Sequence, residues 1–457
     1  MAQQLLYLIF IFPLLLLVLL RRRRFASRTP NKSGDGGGPC RQRSHDDDNH
    51  LPPSPPGELP IIGHLHLVGS HPHASLRAIA DMHGADGLVL LRLGEVPNLV
   101  VCSPSAAEAV LRTHDHAMAS RPHSVVADIL LSGSSDVALA PYGEYWRQAR
   151  KLVTTHLLSA CKVRSLRRGR EEEVRLVLAE VGEAAAARAA VDVTELLGAF
   201  VNDVVCRAVS GRLSAFSAGH QEGRRRNRML RELIEGNAAL LGGFTLLDHF
   251  PSLAKVGALT RMLCARATRH KKRWDVLLDQ IIDEHAASSR SAEEDGDLVD
   301  VVLSLQQEYC LSREQVKAIL MDMYAAGTDT SSIVLEQTMV ELIRNPHVMT
   351  RLQAEITSNT PKGQKMVKEE DLMNNMAYLK AVVKETLRLH PPAPLLLPRI
   401  TMEHCDVNGY TIPAGTVSSS THGLSAEIPG HGTRQMSSCR RGFFIILVAP
   451  TTHPLTT

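Results

Sequence analysis

Apolar residues recur at helical spacing between Leu311 and Arg344. Val316, Ile319, Leu320 and Met323 come first, then Ile333, Leu335, Met339, Val340 and Ile343. Ser312, with Gln315 three residues on, carries the signature of a capping box, in which hydroxyl and amide satisfy orphan N–H groups at a helix start. The pattern predicts one helix of about 50 Å, at about 1.5 Å rise per residue, long enough to cross a whole domain. From Gly87 to Cys102 two short β-rich runs flank a turn, which predicts a hairpin. Helical patterns follow over Pro104–His114, Glu144–Lys151 and Glu171–Ala190, and Leu259–His285 reads as one long charged amphipathic helix. Polar breaks fall near Ser217–Asn227 and Ala286–Gly296, with loops around Leu240–Phe244 and Asp248–Pro251. No internal repeat is visible. The fold class expected is mainly α with a small β region.

The first residues follow a different rule. Leu5 to Leu20 is apolar apart from Tyr7, and Arg21 to Arg24 follow at once. A cleavable secretory signal carries its charge before the apolar core, so this order predicts a signal anchor instead. The stretch is short for a bilayer but compatible with the thin endoplasmic reticulum membrane. The arginines place the rest of the chain in the cytosol. Residues 1–24 are thus expected to be a single-pass transmembrane anchor and residues 25–51 a flexible tether rich in Gly, Ser, Asp and Arg. Leu51-Pro52-Pro53-Ser54-Pro55-Pro56-Gly57 then makes a stiff extended arm, readable as a linker or as a proline-rich ligand.

Charge and cysteines narrow the field. A net charge of +3 on 457 residues gives no electrostatic case for nucleic acid, and the Arg21–Arg24 and Arg224–Arg226 runs are short. Eight widely spaced cysteines show no paired metal spacing, which fits a reducing compartment and predicts no metal site held by protein ligands alone.

Three places carry candidate chemistry. The long helix breaks its own propensity at Ala326-Gly327-Thr328-Asp329-Thr330, where Gly327 removes a side chain and Asp329 and Thr330 offer an acid and an alcohol for proton transfer. A packing glycine beside a solvated polar patch is the plainer alternative. Trp146 and Arg150, four apart on one helix face, can together hold a carboxylate, or belong to an ordinary basic amphipathic helix. Glu385 and Arg388 share a face of the helix that ends at His390-Pro391, ahead of Ala393-Pro394 and Pro398-Arg399.

Taken together these motifs resemble the cytochrome P450 haem monooxygenases, over roughly Pro52 to Thr416. Ala326 to Thr330 resembles the family's oxygen-binding helix, and Glu385-x-x-Arg388 its structural ion pair. The resemblance implies that Asp329 and Thr330 deliver protons, that Trp146, Arg150 and Arg399 hold the haem propionates, and that the proline segment orients the domain on the membrane. It also implies haem b as cofactor, NADPH-cytochrome P450 reductase as electron donor, and a small hydrophobic substrate. The wording "IIGHLHLVGS", "LRTHDHAMASRP" and "AYLKAVVKETLRLHPPAPLL" is similar to plant members, especially the grass enzymes that oxygenate indole and indolinone.

The resemblance stops after Thr416. The family's F-x-x-G-x-R-x-C-x-G loop, whose thiolate ligates the iron, has no counterpart: Cys439 is flanked by Gly432, Gln435, Ser437 and Arg441 where that loop has Phe, Gly, Arg and Gly. Cys405 lies too early, ahead of the Asn408–Thr416 strand-turn. Regrouping the possible codons of Ser418 to Phe443 one base earlier permits Val-Val-Val-Asn-Ala-Trp-Ala-Ile-Gly-Arg-Asp-Pro and a later Pro-Glu-Arg-Phe, the text the family has there. Residues 417–457 are therefore expected to be a frameshifted tail on a partial domain spanning 52–416. The function the resemblance implies is insertion of one oxygen atom from dioxygen into a small apolar plant metabolite, with a truncated, non-catalytic product as the alternative, and a chain so changed is expected to be poorly stable and weak in haem binding. Without the missing arginine, a buried Glu385–Arg388 pair is expected to cost about 3–5 kcal/mol.

Overall fold

The computed structural model describes residues 51–211, 221–242, 245–287, 296–364, 366–371, 376–420 and 444–445. The expected anchor and most of the tether and tail lie outside these residues. Among the described residues no helix is long and apolar enough to cross a membrane.

Helix α1 (Pro72–His83) precedes the antiparallel hairpin β1 (Leu88–Leu93) and β2 (Val96–Val101) expected from the sequence. Gly94 permits the hairpin turn at φ +68°, and a Cβ there would lie 2.3 Å from the His249 carbonyl oxygen. Among the helices that follow are α2 (Val125–Leu130), α3 (Glu144–Leu152), α4 (Arg167–Ala186), α5 (Val193–Ser210), α6 (Gln221–Leu241), α7 (Gly257–Ala287) and α8 (Leu298–Leu305). Helix α6 begins at Gln221, so the polar break expected over Ser217–Asn227 is helical in its second half. Arg225, Arg228, Glu232 and Glu235 are exposed on this amphipathic helix, whose Leu230, Leu233 and Ile234 are buried.

The long helix is α9, Arg313–Arg344, 32 residues without interruption. Its start is the expected capping box: Gln315 N–H donates to Ser312 Oγ at 3.2 Å, and Ser312 N–H donates to Gln315 Oε1 at 2.8 Å. The main core gathers on its first half. Val316, Ile319 and Leu320 pack with Trp274, Leu278 and Ile281 of α7, Val299 of α8 and Leu152 of α3. Beyond residue 328 only Leu342 of α9 is buried, and Ile333 and Ile343 are exposed.

Helices α10 (Pro346–Asn359) and α11 (Ala377–Leu389) lead to the short strand β3 (Arg399–Ile400). A tight hairpin follows, β4 (Cys405–Val407) and β5 (Tyr410–Ile412), turning at Asn408-Gly409 with φ of 52° and 84°. Strand β6 (Val417–Ser420) completes a four-stranded sheet ordered β1-β2-β6-β3, parallel to β2 with Asn98 opposite Val417 and antiparallel to β3 with Arg399 opposite Ser418. The first four residues assigned to the tail thus join the sheet by main-chain pairing, which any residue but proline can supply.

Candidate functional site

Helix α9 stays helical through its polar middle because the hydroxyls bond back along it. Thr330 Oγ1 donates to the Ala326 carbonyl at 2.6 Å and Ser332 Oγ to that of Asp329 at 3.0 Å. Ala326 and Thr330, one turn apart, are exposed. Thr328 is buried with its hydroxyl oxygen unpartnered. Burial, then the charge of Glu235 on α6, raises the Asp329 carboxyl above its ordinary value. At Gly327 the geometry fits the plainer alternative, a packing glycine: a Cβ there would meet the Val205 methyls at 3.2 and 3.5 Å. The missing side chain admits helix α5.

One end of this region is fixed by the loop joining α2 to α3. Asp322, one turn before Ala326, accepts the Val137 N–H at 2.7 Å and the Ala138 N–H at 3.2 Å. The same loop supplies acceptors to three side chains. Tyr145 Oη donates to Ser135 O at 2.6 Å, Trp146 Nε1 to Val137 O at 3.0 Å and Arg121 Nε to Ala138 O at 3.0 Å. Arg150 stacks on Trp146, 5.0 Å from the ring centroid, and is itself exposed. The expectation that indole and guanidinium share a carboxylate is therefore corrected: the indole N–H is taken by a main-chain carbonyl, and only Arg150 presents a charged edge.

Arg399 and Arg121 form a reciprocal tie. Arg399 donates to Asp115 Oδ1 at 2.6 Å and to Met118 O at 3.4 Å. Arg121, three residues past Met118, donates to Pro398 O at 3.0 Å and Leu397 O at 3.3 Å. Burial, then the charge of Arg399, lowers the Arg121 pKa. Both arginines line a cavity of about 300 Å³ with Val101, Leu111, Leu397 and Ser418. Arg121 and Asp322 went unread in the sequence. The available signals were an arginine between Ser120 and Pro122, and one carboxylate inside the apolar run Ile319–Tyr324.

Glu385 and Arg388 do pair, at 2.6 Å, but their side chains are 55% and 35% exposed. The expected cost of an uncompensated buried pair is corrected accordingly: water compensates both charges, and the pair contributes roughly 0.2–1 kcal/mol.

A separate buried cluster joins His285, Asp297 and Asp300. The His285 ring bonds Ile281 O at 2.7 Å through Nδ1 and Asp297 Oδ2 at 2.9 Å through Nε2. Both nitrogens donate, which makes this an imidazolium–carboxylate pair with no lone pair left for an ion.

A mainly helical fold with a long helix crossing beside clustered arginines defines a class, and comparison with known proteins gives it a name. The Cytochrome P450 family model matches residues 52–422. Indole-2-monooxygenase of Zea mays is 56% identical over 369 residues, spanning 80% of this chain and 67% of that protein. The 3-hydroxyindolin-2-one monooxygenase and indolin-2-one monooxygenase of the same plant are 53% and 52% identical, each over 80% of this chain and 68% and 69% of theirs. A solved zebrafish cytochrome P450 with progesterone superposes with a TM-score of 0.65 at 22% identity, covering 80% of this chain and 82% of that one. The chain belongs to the cytochrome P450 family, whose cofactor is haem.

The described residues fit one edge of that group. Arg121, Arg399 and Arg150 offer guanidinium donors of the kind carboxylates accept, and two of them line one cavity. The iron side has no matching ligand among the described cysteines. Burial raises the Cys102, Cys206, Cys264 and Cys405 thiols, disfavouring thiolate, while Cys161 and Cys310 are exposed. Cys439 lies outside the described residues.

Proposed function

We propose that this chain carries the distal half of a haem monooxygenase that inserts one oxygen atom into a small apolar, indolic plant metabolite. Electrons come from NADPH through cytochrome P450 reductase, and residues 1–24 tether the domain to the endoplasmic reticulum membrane, facing the cytosol. The observation that carries the reading is the bond path from Asp322 on α9 through Val137 and Ala138 to Trp146 and Arg121, and from Arg121 through Pro398 to Arg399. It joins the oxygen-motif helix to all the cationic groups suited to a porphyrin's acid edge. Substrate class rests on the likeness to the maize indole and indolinone enzymes.

In this reading Arg399, Arg121 and Arg150 hold the propionates and Ala326 leaves room above the ring. Thr330 keeps its hydroxyl fixed on the Ala326 carbonyl, so its oxygen lone pairs face the exposed side and can accept and pass on a proton. Asp329, with its raised pKa, retains a proton longer than a solvated aspartate and is the reservoir. The haem, when bound through a thiolate, supplies dioxygen activation.

The second reading is a non-catalytic chain, favoured by the raised thiols and by the sequence around Cys439. On that reading 52–416 is a partial domain and residues 417–457 a displaced-frame tail. A reduced-plus-CO difference spectrum of the purified chain separates the two. A shifted Soret band with NADPH-driven turnover of indole supports the first, and substrate affinity without that band supports the second. Transcript sequencing across residues 417–457 tests the displaced frame directly.

A further inference from the structure

The cavity beside Arg121 and Arg399 has the β-sheet for a floor. Ser418 stands opposite Arg399 of β3 and Ser420 opposite Val101 of β2, so these side chains rise on one face of the sheet. Both serines are buried, and with Val101, Leu111, Leu396 and Leu397 they line about 300 Å³. That is the lower end of the range for small-ligand pockets, about 300–1,000 Å³. Leu396 and Leu397 are exposed and form the rim. The displaced reading frame has valine at 418, 419 and 420, and two valines on this face would occupy part of the floor. The space is thus opened by this chain's own serines, where the family's text would narrow it.

Two guanidiniums face the space with donors unused. Arg121 donates through Nε to Ala138 O and through Nη1 to Pro398 O and Leu397 O. Arg399 donates through Nη1 to Asp115 and to Met118 O. Among the described residues nothing accepts from Arg121 Nη2, or from Nε and Nη2 of Arg399. The acids facing them are Asp115, 56% exposed and so screened by water, and Asp136, whose charge acts on Arg121 less strongly than that of Arg399 does. The two cations therefore repel across the cavity, and an anion placed between them offsets that repulsion.

We propose that this cavity binds a small aromatic monocarboxylate, with the acid group between Arg121 and Arg399 and the ring on Val101, Leu111, Leu396 and Leu397. A guanidinium fork matches a carboxylate in shape and charge. The apolar walls call for an apolar body, which disfavours a bare inorganic anion, and the volume limits that body to about two fused rings. The site uses arginines that the haem reading gives to the propionates, so it is a site of the haem-free chain and stands or falls apart from haem binding.

Equilibrium dialysis of the full-length, haem-free chain against benzoate and indole-3-carboxylate tests this. Saturable binding is expected, with a dissociation constant on the order of 1 mM for a ligand of about a dozen non-hydrogen atoms. The neutral amides, benzamide and indole-3-carboxamide, and inorganic phosphate bind at least about tenfold more weakly. Arg399→Gln weakens the acids by about the same factor. Ser418→Val with Ser420→Val keeps the reading secure if the arginine variant fails to fold: it fills the cavity, raises the thermal midpoint and lowers acid affinity at least about tenfold. No saturable binding below about 10 mM, equal affinity for acid and amide, or unchanged affinity in the double-valine variant overturns the site. A later haem titration of the same preparation reports on the haem reading alone, since the acids are measured before haem is added.

Discussion

Replacing His285 by glutamine probes the tie between the end of α7 and the start of α8. The His285 and Asp297 side chains are 1% and 5% exposed, so solvent barely screens them. Burial pulls the imidazole pKa down, but the hydrogen bond to Asp297 and the charge of that carboxylate outweigh it and carry the group to about 9, from an ordinary 6.5. Because the folded value is the higher one, this stabilisation is complete below about pH 6.5 and drains away as pH rises through about 9. The gap corresponds to about 3 kcal/mol, at about 1.4 kcal/mol per pH unit. Glutamine keeps a donor for Asp297 and carries no charge. Urea unfolding followed by circular dichroism should find His285→Gln about 3 kcal/mol less stable than the parent at pH 6, with the difference shrinking below about 1 kcal/mol at pH 9.5. Other titrating groups, Asp322 included, are common to both proteins and cancel. A deficit that stays constant across that range, or no deficit at pH 6, would refute the reasoning.

Gly327→Val should lower stability by about 1–3 kcal/mol by pressing α5 off α9, and Val205→Ala should restore part of it in a thermal melt. Gly327→Ala should be near neutral, because helix propensity gains roughly what a small shift of Val205 costs. Ser418→Val with Ser420→Val should stabilise the chain by about 1 kcal/mol per site: both serines are buried in the sheet and line a cavity that accepts the added methyl groups. Glu385→Ala should cost less than about 1 kcal/mol in the same melt, as fits a solvent-facing pair.

The long helix was legible because its signals are local. Ser312 and Gln315 sit three residues apart, and Val316, Ile319 and Leu320 repeat at one period. The strand-turn over Asn408–Thr416 was legible through the family resemblance, and the structure adds that its first two residues take left-handed positions and close a hairpin. What escaped depends on partners far along the chain. Asp322 meets Val137 across 185 positions and Arg121 meets Pro398 across 277, and nothing beside either residue announces the other. At Gly327 both readings stayed open, because a sequence reports a missing side chain without saying which neighbour uses the space. The indole of Trp146 was misassigned because Val137 O is nine residues upstream in a loop with no repeat. Glu385 and Arg388 were correctly paired, but their exposure follows from packing that their spacing does not encode.

The order of the sheet has a bearing on how the chain is made. Strand β2 finds its second neighbour only when Val417 to Ser420 emerge, about 300 residues after it. At ribosomal rates of roughly 5–20 residues per second, that is a wait of about 15–60 s. Through it the β1–β2 hairpin, an arrangement only marginally stable alone, offers a bare edge of unpaired amides and carbonyls to any passing strand. Slower translation of the region between Ser103 and Arg399 should therefore lengthen the hazard rather than relieve it.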